Sequence, residues 1–499
     1  ASSTCSFWPL SLPSPAHTPA PIQYCMATKA AARVPPLGLA FLIHANLTAN
    51  LVEAVHLVDE TVRLLQAHVA MHRHSVKPSF WSGQNQSSLR TGTQGSIAPG
   101  RLSQGPVWSW HDEGNGTVRA RPLIDGDSNI YLTTVQGDIY KLDSFGQVQW
   151  TYKANASIPC TPALLGGTLF AATEDGRVFA LDSWSGRSLW AKTVAERMAR
   201  DAWSMMADGD VVVVAAQEPT SQVPGSSADC ILALSAADGS RKWVFRPEAT
   251  VISFLPAVKD GSLVFCDEFG RAYRVELRDG REIWRTGRLE SASVSSGGAV
   301  IGPDGVVYVT GNALGQGRVR GQVSALSFTT GSLLWRQHLE LPSNNPPAVG
   351  RLGGKGSSPY SVVLGIGVSP GAILLPSLAR ADEQKPGKVL ALDATTGSRL
   401  WTYDLPAWQG AAAGDAFVRA CWPSAVGTPA IGGDGTVYAG YQSGRIYAIH
   451  DSNGDNEVQE ELDEVSSYPT GAAFQGSPGI ASGMLVAAPC DGVHVFKWL

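Results

Sequence analysis

Short stretches of alternating apolar and polar residues recur along most of this chain. Arg177-Val178-Phe179-Ala180-Leu181 is a clear copy. A period of two marks a strand with one buried face. A turn rich in Gly, Asp, Ser and Thr follows, as in Ser183-Trp184-Ser185-Gly186 and Ala394-Thr395-Thr396-Gly397. Glycine there can supply the positive φ of a tight hairpin. A second short strand then ends in Trp. Upstream lies another strand, opened by Gly-Gly or Asp-Gly in GGTLFAAT, DGSLVFCDE and DGTVYAGY, and before it one more that carries Pro-Ala in CTPALL, FLPAVKD and GTPAIGG. Each unit thus has four strands, named a to d.

The unit repeats from DGRVFALDSWSGRSLW through GKVLALDATTGSRLW, with a worn copy without Trp at GRIYAIHDSNGDNEV. A four-stranded repeat of this size predicts the blade of a β-propeller. The Trp positions give the count. Trp150 to Trp190 is 40 residues, Trp243 to Trp284 is 41, and Trp110 to Trp150 is again 40. Trp110 is therefore in phase, yet no strands a to c precede it. SPGIASGMLVAAPCDGVHVFKWL supplies those three strands at the other end of the chain. The expectation is an all-β, eight-bladed propeller from about Pro106 to Leu499, closed by the N-terminal strand, which removes open sheet edges. Trp110, Trp150, Trp190, Trp243, Trp284, Trp335 and Trp401 are read as structural.

The residues before the propeller follow other patterns. Residues 1–44 form a Ser-, Pro- and Ala-rich arm, and the first 52 residues hold no Asp or Glu. That composition is like a targeting segment. Residues 45–74 follow, where Leu47, Leu51, Val55, Val58, Val62, Leu65 and Val69 form one apolar stripe. The spacing predicts an amphipathic helix that needs a surface to cover, either the propeller rim or a partner subunit. His68 and His72 share a helical face, but no Glu or Cys completes a metal set. The domain reading is 1–44 arm, 45–74 helix and 75–499 propeller.

Composition changes this picture little. The 499 residues are 44% hydrophobic and 16% charged, with a formal net charge of −5. Nothing here calls for nucleic acid or an anionic membrane. No apolar run is long enough to span a bilayer. The seven cysteines form no Cys-x-x-Cys pair, so a zinc or redox motif is not expected, and most read as small buried apolar residues. Sequons at Asn46, Asn85, Asn115 and Asn155, with the acid-poor N-terminus, favour an organelle lumen or secretory route over the cytosol.

The recurring Asp-Gly-x-x-x-Ala-Leu-Asp-x-x-x-Gly-x-x-x-Trp resembles the pyrroloquinoline-quinone-like (PQQ-like) propeller repeat. FWSGQNQSSLRTG, leading into GPVWSW, also looks like the opening of such propellers. The resemblance implies two function classes. One is the quinoprotein dehydrogenases, which bind the quinone with calcium and oxidise alcohols or sugars. The other is non-catalytic scaffolds similar to BamB, which bind proteins. A quinone site needs a carboxylate base, calcium held by carboxylate and amide oxygens, and an aromatic floor. The adjacent cysteines found in methanol-oxidising members are absent, since Trp422 follows Cys421. Asp143, Asp182 and Asp393 end strand c and read as turn caps. Asp451 to Glu457 imitates a calcium loop but carries Asn456 and Leu462 where Gly and Glu are required. No nucleophile elbow or phosphate loop occurs. No catalytic, cofactor or metal residues are therefore expected.

The interruptions of the repeat are more informative. QEPTSQVPGSSAD (Gln217 to Asp229), GNALGQGRVRG (Gly311 to Gly321) and PSLARADEQKPG (Pro376 to Gly387) lie between strands b and c. Long d-to-a links run from Gln337 to Tyr360 and from Tyr403 to Ser424. Both connection types emerge on the same face of an up-and-down blade, and long loops on a rigid frame are usual carriers of binding. Arg318, Arg320, Leu339, Leu341, Arg351, Lys355, Arg380, Trp408 and Phe417 are the expected partner face. The reading is a non-enzymatic propeller scaffold or accessory subunit in a larger complex. The alternatives are a quinoprotein oxidoreductase and a small-ligand sensor.

Overall fold

The computed structural model describes residues 95–498, apart from 159, 199–203, 220–226, 253, 289–292, 295–297, 316–317, 354–358, 370–383 and 415–420. The described residues fall within one compact unit, Arg73–Leu499. The arm and the amphipathic helix expected before it lie outside the described residues.

Eight antiparallel sheets follow one another as blades. Blade 2 shows how the repeat folds, with strands Ala163–Leu165, Thr168–Ala172, Arg177–Asp182 and Ser188–Thr193 in order from inside to outside. The sequence predicted half-buried strands, but Val178, Phe179, Ala180 and Leu181 are all buried. Neighbouring blades cover both faces of strand c, so its small "polar" positions are filled by Ala and other residues that tolerate burial. Only strand d keeps exposed positions along most of its length. In blades 3 and 5 the innermost position is split between two short segments, Arg197–Met198 with Met206–Asp208 and Ser293–Val294 with Ala299–Ile301.

Blade 8 joins the two ends of the propeller. Gly479–Ala481, Met484–Ala487 and Val493–Lys497 supply strands a to c, and Trp108–Trp110 supplies strand d. The closing pairs are Trp108 with Val495, Ser109 with His494, and Trp110 with Val493.

The repeat tryptophans set the joint between blades. The Trp150 indole lies on Gly186 of blade 2 and its Nε1 donates to the Ser183 carbonyl at 3.2 Å. Trp190 reaches Ala236 at 3.0 Å, Trp243 reaches Leu277 at 2.8 Å, Trp284 reaches Phe328 at 2.8 Å and Trp335 reaches Ala394 at 2.9 Å. The turn glycine is required twice over. Gly186 has φ +70°, and a Cβ there would stand 2.7 Å from Trp150 Cδ2. A pairing irregularity recurs in strand c beside Trp150, Trp190, Trp243, Trp284, Trp335 and Trp401, as at Ala180/Leu181 and Ala233/Leu234. The bulge increases local twist and turns the indole toward the next blade.

The first tryptophan departs from the sequence count. Trp108, not Trp110, occupies the docking position: its Nε1 donates to Ser144 at 3.0 Å and its ring lies on Gly146. Trp110 instead packs against Tyr140, with ring centroids 4.8 Å apart. The two residues share one side of the strand, so the alternating pattern fits either.

Two joints lack the Trp–Gly unit. Trp401 is buried in blade 6, but blade 7 presents the long turn from Asp451 to Glu464, and Tyr403 donates its hydroxyl to Glu460 at 2.6 Å there. Glu464 organises that turn by accepting from the Ser452 and Gln459 backbone at 2.8 and 2.9 Å. At the joint between blades 7 and 8, Ser466 stands where Trp would be. It accepts from the Leu102 backbone at 2.8 Å. Leu102 is fully buried, and the segment before it is pinned by Tyr438 donating to Ala98 at 2.8 Å and by Gly483 donating to Ile97 at 2.8 Å. The lead-in chain thus fills the gap left by the missing indole.

Candidate protein-docking face

The b–c and d–a connections share one face, called the upper face. In blade 2 the b–c connection is a tight turn after Ala172. In blades 3, 5 and 6 it is not. Val211–Pro219 pairs with Ser227–Ser235, and Val306–Gly315 pairs with Arg318–Ser327 along their full lengths. In blade 6 it is strands c and d, Gln384–Asp393 and Arg399–Gln409, that are lengthened and pair with each other, and residues 370–383 of its b–c connection lie outside the described residues. The described parts of these insertions are therefore ladders that lengthen the sheets upward. Paired backbone is stiffer than a loop, so the described ladders form raised edges on the upper face.

The expected partner residues divide among several places. Arg320 is exposed on the lengthened hairpin of blade 5. Arg318 begins the same strand. Leu341 is half-buried against the blade 5 and 6 core, and its carbonyl accepts from Gly321 at 3.0 Å. Trp408 lies in the extension of strand d in blade 6, half-buried, with Nε1 donating to Ala411 at 2.8 Å. Leu339 is 2% exposed and is a core residue, because its link folds back on Gly321. Arg351 follows strand a of blade 6, Ala348–Gly350, and so lies in an a–b connection on the opposite face. It stacks on Tyr360 at 4.3 Å from the ring centre. Pro-Pro-Ala-Val is the Pro-Ala signature of strand a, which divides the long link that sequence had read as one piece. Lys355, Arg380 and Phe417 lie outside the described residues.

Ion pairs stiffen the upper half of the rim. Lys388 contacts Glu340 and Asp404 at 2.9 Å each, and these partners raise its pKa. Glu218 pairs with Arg241 and Arg246 at 2.6 and 2.9 Å. Such exposed pairs contribute little net stability, and their role is local order.

The inner part of the upper face is polar and closely bonded. Arg121 donates to Thr428 at 2.6 Å, Arg119 to Gln475 at 3.0 Å, and Asn345 to the Val426 carbonyl at 2.7 Å. A disulfide joins Cys421, in the d–a link of blade 7, to Cys490, in the b–c turn of blade 8. Sequence reasoning missed this pair, which is 69 residues apart. The two cysteines lie in connections of different blades, and no local pattern links them. Cys160, Cys230 and Cys266 are free and buried, as expected, and burial pushes the Cys160 and Cys230 thiols up to about 12. Asp143, Asp182 and Asp393 cap their turns: Asp143 accepts from Phe145 and Gln147 at 2.9 Å, Asp182 from Ser185 at 2.8 Å, and Asp393 from Thr396 at 2.8 Å.

A quinone with calcium would require converging carboxylates. Among the described residues no group of three or more His, Cys, Asp or Glu could hold a metal ion. The inner upper face offers guanidinium, amide and hydroxyl groups instead. Those residues do not fit the cofactor's metal, and no reaction step follows from them. No helix among the described residues is long and apolar enough to cross a membrane.

The comparisons with known proteins point to one family and two activities. A polyvinylalcohol dehydrogenase from Sphingopyxis sp. is 20% identical over 438 residues, covering 79% of this chain and 57% of its own. The outer membrane protein assembly factor BamB of Yersinia pestis is 26% identical over 188 residues, covering 35% of this chain and 42% of its own. The chain thus spans about half the length of these relatives. The crystal structure of BamB from Moraxella catarrhalis is similar in fold, with a TM-score of 0.54 at 17% identity over 79% of this chain and 99% of that one. The family model described as outer membrane protein assembly factor BamB matches residues 88–243 and 231–477. The eight blades and this match over most of the sequence establish that the chain belongs to the BamB-type family of PQQ-like repeat propellers.

Proposed function

We propose that this protein is a non-enzymatic scaffold that docks a protein partner on its upper face. The observation that carries the reading is the set of lengthened strand pairs, b with c in blades 3 and 5 and c with d in blade 6, above blades that otherwise keep to short strands. A raised, preformed edge presents backbone and side chains without an ordering cost on binding. Arg320 and the half-buried Trp408 supply the residue types favoured at docking anchors. Relatives named BamB favour this reading.

A quinoprotein oxidoreductase is the second reading, supported by the similarity to a polyvinylalcohol dehydrogenase. Two assays separate them. Cross-linking of the native complex, read by mass spectrometry, is expected to place a partner on residues 306–327 and 384–409. Stoichiometric binding of pyrroloquinoline quinone with calcium, together with dye reduction by an alcohol, would overturn the scaffold reading.

A further inference from the structure

Asn115 and Asn155 sit in equivalent surroundings. Asn115 lies in the link from blade 8 to blade 1, and Asn155 in the link from blade 1 to blade 2, both on the upper face. Both are exposed, with φ +56° and +58°. Left-handed turns favour asparagine, so the backbone alone accounts for these two residues. It does not account for the hydroxyl residue two positions later in each link. Asn115-Gly116-Thr117 and Asn155-Ala156-Ser157 are both acceptor sequences for N-linked sugar.

Each position of the first sequence can be weighed against the fold. Gly116 is required, since a Cβ would stand 2.6 Å from Asp112 Oδ2 and 2.9 Å from Thr134 Cγ2. Thr117 is not required. It is fully buried, and its hydroxyl has no hydrogen-bond partner. An unpaired buried hydroxyl is unfavourable, and valine of the same shape would serve the fold better. The hydroxyl is explained if Thr117 serves recognition of Asn115 before the chain folds.

A second observation bears on the compartment. The Cys421–Cys490 disulfide is on the same face and touches the same link, since the Val118 amide donates to the Cys490 carbonyl at 3.0 Å. Disulfides persist in oxidising compartments, where N-linked sugars are added.

We infer that Asn115 and Asn155 carry N-linked oligosaccharides. In the transfer, the asparagine amide nitrogen bonds to C1 of the first sugar. The C1–oxygen bond to a polyisoprenoid pyrophosphate donor breaks, the pyrophosphate leaves with that electron pair, and the amide gives up one proton. The two sugars would cover the upper face over blades 8, 1 and 2 and leave the raised hairpins of blades 3, 5 and 6 bare. The inference stands independently of the docking reading.

The test is glycopeptide mass spectrometry on the full-length protein from its native source, before and after peptide-N-glycosidase treatment. The expected result is sugar on both residues. A bare Asn115 would overturn the inference, whatever Asn155 carries. Variants secreted from a eukaryotic host separate recognition from folding. Thr117→Val is expected to lose one glycan mass at Asn115 with an unchanged or higher melting temperature, and Thr117→Ser to keep that glycan. Sugar retained on Asn115 in Thr117→Val would contradict the role given to Thr117.

Discussion

The blades that keep the repeat and the blades that depart from it do different work. Blades 1, 2 and 4 are built almost entirely of repeat residues. Each tryptophan lies on a glycine of the next blade and bonds its turn. The departures are the lengthened hairpins of blades 3, 5 and 6 and the joints on either side of blade 7. There, side chains foreign to the repeat take over: Ser466 and Leu102 at one joint, Tyr403 and Glu460 at the other. Repeat residues close the ring. Candidates for function have to be sought where the repeat fails.

Substitutions can break this comparison, and the largest effect is expected at a conforming joint. Trp243, 8% exposed and bonded to Leu277, should cost about 3–5 kcal/mol of stability as Trp243→Ala in denaturant unfolding. At the closure, Trp108→Ala should cost more than Trp110→Ala, since Trp108 makes the docking bond. Equal losses would contradict the assignment.

Breaking the disulfide comes next. Cys490→Ser opens a link between residues 69 apart in sequence and should cost about 2–4 kcal/mol. The expected readout is a lowered unfolding midpoint that reduction reproduces in the wild type.

Glycines sharpen the comparison further. Gly239 has φ +70° and a Cβ would stand 2.7 Å from Trp190 Cζ3, whereas Gly454 has φ +74° with open space around it. Gly454→Ala should cost about 1 kcal/mol, the backbone strain alone. Gly239→Ala should cost about twice that or more, because the indole must also shift.

The smallest effect concerns pH. His494 is 6% exposed at the closing strand, with Nδ1 2.7 Å from Ser109 Oγ. Burial holds its pKa below the usual histidine value, with His111 acting in the same direction and Asp491 opposing. The neutral form is therefore favoured in the closed propeller. Its contribution is fully present above about pH 6.5 and is lost as pH falls through the lower folded-state value. Unfolding measured from about pH 7.5 to about pH 5 should show this loss, and His494→Gln should flatten it.

Much of the fold was legible because the repeat is local: strand, glycine turn, strand, Trp. The blade count came from the Trp spacing and from the strands a to c left over at the C-terminal end. The phase pointed to Trp110 rather than Trp108, which points the same way from one strand, because link lengths vary between blades. The candidate face was less legible. Insertions could be placed between strands b and c, but the added rungs of blade 5, within Gly311 to Gly321, look like a polar loop in sequence, since glycines and arginines dominate them. Arg351 was placed on the wrong face because strand a of blade 6 is only three residues long. Leu339 looked free because its cover, Gly321, comes from another strand. The Cys421–Cys490 pair depends on two loops of different blades meeting, which no local pattern encodes.

The most direct measurement replaces residues 313–320 with a two-residue turn, keeping the Asn312–Gly321 pair and the Gly321 contacts with Leu339 and Leu341, and follows two quantities together, the melting temperature and recovery of the cross-linked native partner. Blade 5 keeps its repeat residues in this variant, including Trp335 on Gly397. The predicted result is a melting temperature within about 2 °C of the wild type, as expected for a change outside the core, with loss of the partner. Undiminished partner recovery from the shortened protein would contradict the account.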